Sequence, residues 1–143
     1  MNEPGFGAHA PQLLHAMIRV GDLERALGFY CGLLGLRELR RIAVPEQGLT
    51  LVFLGYPDAP PGAMQIELWH EPADHGAQAA HEAREAHGGH VGIGVRRLQD
   101  CVAQLAAQGV PVRRPPGPMR PGGRLIALVE DPDGHEVELL ATD

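Results

Sequence analysis

Four polar residues stand in strand-like runs whose neighbours are apolar: His15 in LLHAMIRV, Glu67 in MQIELW, His90 in HVGIGV and Glu138 in HEVELL. Side chains alternate across a strand, so each of these residues lies opposite an apolar face and points away from the core. Neutral imidazoles and ionised carboxylates are ligands that suit a divalent first-row metal ion. The pattern therefore predicts a divalent metal site built from His15, Glu67, His90 and Glu138.

Each of these residues taken alone has a simpler explanation. A single histidine in a strand is usually a half-buried residue with its ring satisfied, and a glutamate that alternates with apolar residues usually faces solvent. The joint pattern favours the metal site, because a histidine opens and a glutamate closes each of two similar segments. The remaining histidines are expected at the surface, with His70 and His75 as candidates for substrate contact: His9, His70, His75, His81, His87 and His135.

The elements that must position the four residues occur twice along the chain. Four pairs of similar residues are each 75 positions apart: His15 and His90, Val20 and Val95, Leu23 and Leu98, Leu27 and Val102. Each copy has the pattern of a β-α-β-β-β module, over residues 13–69 and 90–143, and residues 70–89 form a linker. We therefore predict an α+β fold of two tandem modules, whose curved mixed sheets carry the four residues on their concave sides.

Helices and turns can be assigned within each module. Asp22 is the expected N-cap of a helix that runs through LERALGFYCGLLG and ends at Gly35. The second helix, RLQDCVAQLAAQ, is expected to end at Gly109, and DPDG at residues 131–134 predicts a type I turn before the last strand. A short helix is also expected in the linker around GAQAAHEAREA.

Composition limits the classes of function. The chain has 143 residues, 44% of them apolar, which suffices for one globular domain. Its net charge of −6 shows no basic block that would favour nucleic acid or an anionic membrane. Two cysteines in predicted helices indicate no disulfide framework, and neither a leader nor a membrane span is recognisable. We expect a cytoplasmic protein with a small-molecule partner.

These features together resemble the vicinal oxygen chelate superfamily, in which paired β-α-β-β-β modules hold a metal ion in a cup of eight strands. Within it, the sequence is most similar to glyoxalase I, the lactoylglutathione lyase. LLHAMIRVGDLERALGFYCGLLGL, FLGY, IEL, GHVGIGV and VEDPDGHEVEL carry the resemblance along nearly the whole chain from Leu13. It assigns His15, Glu67, His90 and Glu138 as ligands of one divalent ion per site. The short chain is similar to the branch activated by Ni²⁺ or Co²⁺, with Zn²⁺ as the alternative.

The resemblance implies isomerisation of the hemithioacetal of methylglyoxal and glutathione by base-catalysed proton transfer through an enediolate. Glu138 is the candidate base, and Glu67 plays a symmetric supporting part. Arg19 matches the family's arginine for the glutathione carboxylate, and Arg120 stands where a lysine is common, so an anionic tail could be held. Glu71 replaces an asparagine that would bind glutathione. A carboxylate cannot donate a hydrogen bond and repels an anionic tripeptide. Each module offers one histidine and one glutamate, so a complete site needs two modules, either within one chain or from two chains. The resemblance favours a homodimer in which each site takes His15 and Glu67 from one chain and His90 and Glu138 from the other.

Three alternatives share the same scaffold. A metal-dependent epimerase, or an isomerase of a non-glutathione thiol adduct, would need the same metal and base. A dioxygenase, whose site resembles two histidines and one carboxylate, would leave Glu67 without a role. A metal-free drug-binding protein would need aromatic stacking surface, yet only 4% of the residues are aromatic.

Overall fold

The structure is a computed structural model that describes residues 6–72, 78–82 and 89–143. It contains two four-stranded sheets. Sheet 1 is formed by β1 (His15–Arg19), β2 (Arg37–Val44), β3 (Leu49–Gly55) and β4 (Gln65–His70). Sheet 2 is formed by β5 (Val91–Val95), β6 (Val112–Pro118), β7 (Leu125–Glu130) and β8 (Glu136–Ala141). The main helices are α1 (Leu23–Leu27), which continues as a π-helix (Gly28–Leu33), and α2 (Leu98–Ala107).

The two sheets have the same topology. Their strand orders are β1-β4-β3-β2 and β5-β8-β7-β6, and in each the first strand runs parallel to the last. Met17 is in register with Glu67, and Gly92 is in register with Glu138. Met17 and Gly92 are themselves 75 residues apart, so the repeat seen in the sequence is a repeat of strand register. The predicted α+β fold of two β-α-β-β-β modules is confirmed.

The first helix is less regular than predicted. Asp22 caps α1 by accepting a hydrogen bond from the Arg25 N–H, and Gly35 takes the predicted left-handed conformation with φ of 79°. Between them the helix widens into a π-helix, in which the Leu34 N–H donates to the carbonyl of Phe29 at 3.0 Å. The wider turn changes the phase of the helix, so that the adjacent Phe29 and Tyr30 are both buried.

Both modules contribute to one continuous hydrophobic core. The buried faces of the two sheets pack with α1, the π-helix and α2, and α2 buries Leu98, Val102 and Leu105 on one side. A continuous core of this kind holds the two sheets in one unit. The opposite faces of the two sheets are left for the polar residues.

Some predicted boundaries differ from the structure. Leu13 and Leu14 precede β1 and are exposed, although the sequence predicted a strand from Leu13. Residues 78–82 are helical, and the rest of the predicted linker helix lies outside the described residues. Among the described helices, none has the length and apolar character of a membrane span.

Candidate active site

The first histidine–glutamate pair lies on adjacent parallel strands of sheet 1. His15 Nε2 is 2.9 Å from Glu67 Oε2, and the two side chains are 41% and 8% exposed. The edge of the His15 ring meets the Phe53 ring at a centroid distance of 5.6 Å. A nearly buried carboxylate requires a polar partner, and His15 provides one for Glu67. The alternation of β1 and β4 places both side chains on the face opposite the core.

The second pair repeats this arrangement on sheet 2. His90 Nε2 is 3.0 Å from Glu138 Oε2, and the Glu138 side chain is 14% exposed. His90 Nδ1 also lies 3.7 Å from Glu136 Oε1. The other oxygen of Glu136 is 3.5 Å from Arg113, so a chain of charged groups leads from Arg113 to the imidazole. In the first module (residues 13–69) the position equivalent to Glu136 is held by the neutral Gln65. The two half-sites, each formed by one histidine–glutamate pair and its neighbours, therefore differ in charge.

Each pair fits two neighbouring ligands of one metal ion. Two ligand atoms at about 2.1 Å from an ion and at right angles to each other are separated by about 3.0 Å. The two observed separations are 2.9 and 3.0 Å. Imidazole nitrogen and carboxylate oxygen are also the donor atoms that Ni²⁺, Co²⁺ and Zn²⁺ accept. Each half-site can thus supply two ligands.

The structure brings the four predicted ligands together as two pairs, and the pairs stay separate within the chain. In the described ranges, no group of three or more His, Cys, Asp or Glu side chains is placed to hold a metal ion. His15 begins β1, and His90 lies just before β5; β1 and β5 are the edge strands of their sheets. Both pairs are therefore close to a sheet edge at which another module can be added.

The predicted substrate-binding residues lie in different settings. Arg19 ends β1 and forms an ion pair with Glu82, with 2.8 Å between Nε and Oε1. Glu71 follows β4 and accepts a hydrogen bond from Trp69 Nε1 at 3.0 Å. Arg120 is exposed on the loop after β6. Trp69 thus contacts both residues, since its ring centroid is also 5.7 Å from the Arg19 guanidinium carbon.

Residues of the DPDG turn have a role that the sequence did not reveal. Tyr30 and Asp131, 101 positions apart, are both buried, and the Tyr30 hydroxyl donates to Asp131 Oδ2 at 2.8 Å. Asp131 Oδ1 accepts the N–H groups of Asp133 and His135 at 3.0 and 2.8 Å. The turn is thus fixed to module 1 directly before β8, which carries Glu138.

His135 corrects the expectation of a surface residue. It is half-buried, and its Nε2 lies 3.0 Å from the Arg19 carbonyl oxygen. Asp133 accepts the Gly21 N–H at 3.2 Å, which forms a second link between the modules. The sequence did contain one signal for this link between the modules. Asp131 directly follows the buried strand β7, and an aspartate in that position is a candidate for a structural hydrogen bond.

Burial raises the pKa values of two groups in the link between the modules, Tyr30 and Asp133, and of both cysteine thiols. Burial, followed by the negative charge of Asp131, raises the pKa of Tyr30 well above its ordinary value of 10.0, so the hydroxyl remains a donor at neutral pH. Burial and then Asp131 also raise the pKa of Asp133. The pKa values of the free thiols Cys31 and Cys101 are raised, mainly by burial. Both thiols therefore stay protonated and are poor nucleophiles at neutral pH.

A cavity of about 330 Å³ lies between β1 and the beginning of sheet 2, and Met17, Arg19, His90 and Glu136 are among its lining residues. A larger cavity, of about 590 Å³, lies between the π-helix and the DPDG turn. Its described lining contains none of the four predicted ligands. The smaller cavity has one predicted ligand, His90, in its lining.

Comparison with known proteins shows which family this sequence matches. The family model described as Glyoxalase/Bleomycin resistance protein/Dioxygenase superfamily matches residues 12–139. A probable lactoylglutathione lyase from Synechocystis is 40% identical over 130 residues, which cover 91% of this chain and 95% of that protein. A lactoylglutathione lyase from Haemophilus influenzae is 40% identical over 133 residues, covering 90% and 91%.

A solved structure extends the comparison to the fold. The trypanothione-dependent glyoxalase I of Leishmania major matches with a TM-score of 0.74 and 38% identity, over 92% of this chain and 86% of that one. A match over 92% of the chain includes parts of both modules. On its repeated topology, its sequence and its structural likeness, the chain belongs to the glyoxalase/bleomycin resistance protein/dioxygenase superfamily.

Proposed function

We propose that this protein is a lactoylglutathione lyase, which converts the hemithioacetal of methylglyoxal and glutathione into S-lactoylglutathione. The observation that carries the proposal is the pair of His–Glu contacts of 2.9 and 3.0 Å, one in each module. It is supported by the 40% identity to relatives named for this reaction. We further propose that the protein works in the cytoplasm, where its two free cysteines stay reduced.

His15, Glu67, His90 and Glu138 would hold the metal ion in this proposal. A bound divalent ion supplies Lewis-acid polarisation of the substrate oxygens, which acidifies the adjacent C–H group. We favour Ni²⁺ or Co²⁺ over Zn²⁺, because two nitrogen and two oxygen ligands, with positions left for substrate, suit an ion of higher coordination number than four.

Glu138 is the candidate general base. Its carboxylate takes the proton from the carbon that bears sulfur and returns it to the neighbouring carbon, while the hydroxyl proton of the first carbon passes to the oxygen of the second. These two transfers convert the hemithioacetal into a 2-hydroxy thioester without an external oxidant. Glu138 is more exposed than Glu67, at 14% against 8% of the side chain. A base must reach the proton that it removes, and this difference favours Glu138 over Glu67.

We propose that complete sites form between two chains of a homodimer. One chain offers two ligands on each of two separate sheets, so two chains related by a twofold axis would form two sites of four ligands. Each site would then combine His15 and Glu67 of one chain with His90 and Glu138 of its partner. The edge positions of β1 and β5 support this assembly.

Turnover of the hemithioacetal by the metal-loaded protein tests the proposed function directly. Glu138→Gln is expected to lower kcat by about 10²–10⁴-fold while metal binding is largely kept, because the amide can coordinate weakly but cannot take a proton. Glu46→Gln, in the 3-10 turn between β2 and β3, is a matched control and should keep normal turnover. Near-normal turnover by metal-loaded Glu138→Gln would remove Glu138 from the role of base.

Mixed dimers test whether the sites are shared. His15→Ala and His90→Ala chains, each inactive alone, are unfolded and refolded together. In a shared-site dimer both lesions fall in one site and the other site keeps four ligands, so activity should return. Verified mixed dimers that stay inactive would refute the sharing of sites and leave the four ligands unaffected.

A further inference from the structure

Arg19 already has a carboxylate partner within its own chain. Its Nε lies 2.8 Å from Glu82 Oε1, and the two side chains are 23% and 34% exposed. The same oxygen accepts a hydrogen bond from Gln78 Nε2 at 3.0 Å. Gln78 and Glu82 are one helical turn apart in the helix of residues 78–82. Glu82 Oε1 therefore accepts hydrogen bonds from both Arg19 and Gln78.

Arg19 occupies a position from which it can contact a substrate bound at the histidine–glutamate pair. It lies on the same face of β1 as His15 and is in register with Trp69 of β4. It is also the one arginine or lysine among the described residues that line the 330 Å³ cavity. A guanidinium is suited to bind a carboxylate through paired hydrogen bonds. In Arg19 the Nε–H group already donates to Glu82.

The charges around the cavity oppose an anionic ligand. Glu82 and Glu136 both line it; Arg19 pairs with Glu82, and Arg113, outside the described lining, lies 3.5 Å from Glu136. Glu71 adds a third carboxylate, which accepts a hydrogen bond from Trp69, the residue whose ring contacts Arg19. A substrate carboxylate that approached Arg19 would meet these like charges before it could form its own ion pair.

We propose that Glu82 is a specificity-determining residue that competes with substrate carboxylates for Arg19. It weakens the binding of a free carboxylate at this end of the glutathione adduct relative to the same adduct with its carboxylates esterified. This inference rests on the proposed function and narrows its substrate class. A carboxylate ligand must displace Glu82 from a half-buried ion pair, whereas a neutral or cationic tail leaves the pair in place.

The experiment compares two thiol adducts in wild type and Glu82→Gln. The hemithioacetals of glutathione and of glutathione diethyl ester differ in their free carboxylates and share the reacting carbon atoms. Glu82→Gln is expected to lower KM for the glutathione adduct about fivefold to tenfold, the effect of removing a half-buried competing charge. The KM for the diester adduct and both kcat values should change little.

A matched control is available on β2. Glu38 pairs with Arg41 through the same Oε1 and Nε atoms at 2.6 Å, away from the cavity. Glu38→Gln should leave the ratio of the two KM values unchanged. An equal ratio in wild type, Glu38→Gln and Glu82→Gln would overturn the proposal.

Binding measurements separate this inference from the proposed function. S-hexylglutathione and its diethyl ester can be titrated calorimetrically against wild type, Glu82→Gln and Glu82→Ala. Tighter binding of the free acid to both variants supports the competition even if no hemithioacetal is turned over, a result that would refute the lyase proposal alone. Turnover by wild type with unchanged binding in both variants would refute the role of Glu82 alone.

Discussion

The link between Tyr30 and Asp131 should make a measurable contribution to stability, and Tyr30→Phe tests it. The substitution removes the hydroxyl that donates to Asp131 Oδ2 at 2.8 Å and keeps the ring that packs edge-on against Phe29 at 4.9 Å. Tyr30 is 0% and Asp131 3% exposed, so water cannot readily replace the lost donor. Hydrogen bonds to charged groups contribute about 1.5–3 kcal/mol.

We expect Tyr30→Phe to lower the free energy of unfolding by about 2 kcal/mol, because Asp131 Oδ1 keeps its two backbone donors. For a chain of this size the loss corresponds to a decrease in Tm of about 4–8 °C. Thermal and urea unfolding at one fixed protein concentration measure it, since self-association would add to apparent stability.

Tyr56→Phe is the matched control. Tyr56 is 39% exposed, and its hydroxyl lies 3.4 Å from the Leu34 carbonyl oxygen, a long contact with a neutral acceptor. Its removal should change the free energy of unfolding by no more than about 0.5 kcal/mol. Equal losses in the two variants at pH 7 would refute the importance of the Tyr30–Asp131 bond.

The free energy of unfolding above pH 10 gives a second test of the Tyr30–Asp131 hydrogen bond. The folded pKa of Tyr30 is raised above its ordinary 10.0. Between these two values the unfolded tyrosine loses its proton and the folded one keeps it, so the contribution to stability is full below about pH 10 and decreases as pH rises further. The difference between wild type and Tyr30→Phe should therefore shrink above pH 10. A difference that stays constant to pH 11 would contradict the assigned cause.

Three further predictions concern the substrate tail, the metal and the turn. Glu71→Asn should lower KM for the glutathione adduct, because it removes a carboxylate beside Trp69; an unchanged KM would mean that Glu71 does not face the substrate. Chelation should abolish turnover, and Ni²⁺ or Co²⁺ should restore it better than Zn²⁺, whereas full activity of metal-free protein would exclude the metal mechanism. Asp133→Asn should raise Tm at pH 7, since burial disfavours the charged carboxylate, and the gain should fade as pH falls through the raised pKa of Asp133. An equal gain at pH 4 and pH 7 would show that charge is not its cause.

The sequence alone predicted what depends on local geometry. The alternation of side chains along a strand is a property of the backbone, so the facing of His15, Glu67, His90 and Glu138 followed from their neighbours. The spacing of 75 residues likewise fixed the correspondence of β1 with β5 and of their registers. The N-cap at Asp22 was predictable for the same reason, since it depends on a residue three positions away.

Tertiary structure decided the contacts between distant residues and the arrangement of the half-sites. No pattern in the sequence joins Tyr30 to Asp131, or Arg19 to Glu82, because these pairs are 101 and 63 positions apart and depend on how the modules and the linker pack. The π-helix was also not predicted, because the apolar spacing of LERALGFYCGLLG fits an α-helix and does not show where the hydrogen bonds shift to the fifth residue back. The sequence predicted one histidine and one glutamate in each module and left open which two modules complete a site. In the described ranges the two pairs stay apart within one chain, because strand alternation sets the direction of a side chain and only packing sets which sheets face one another.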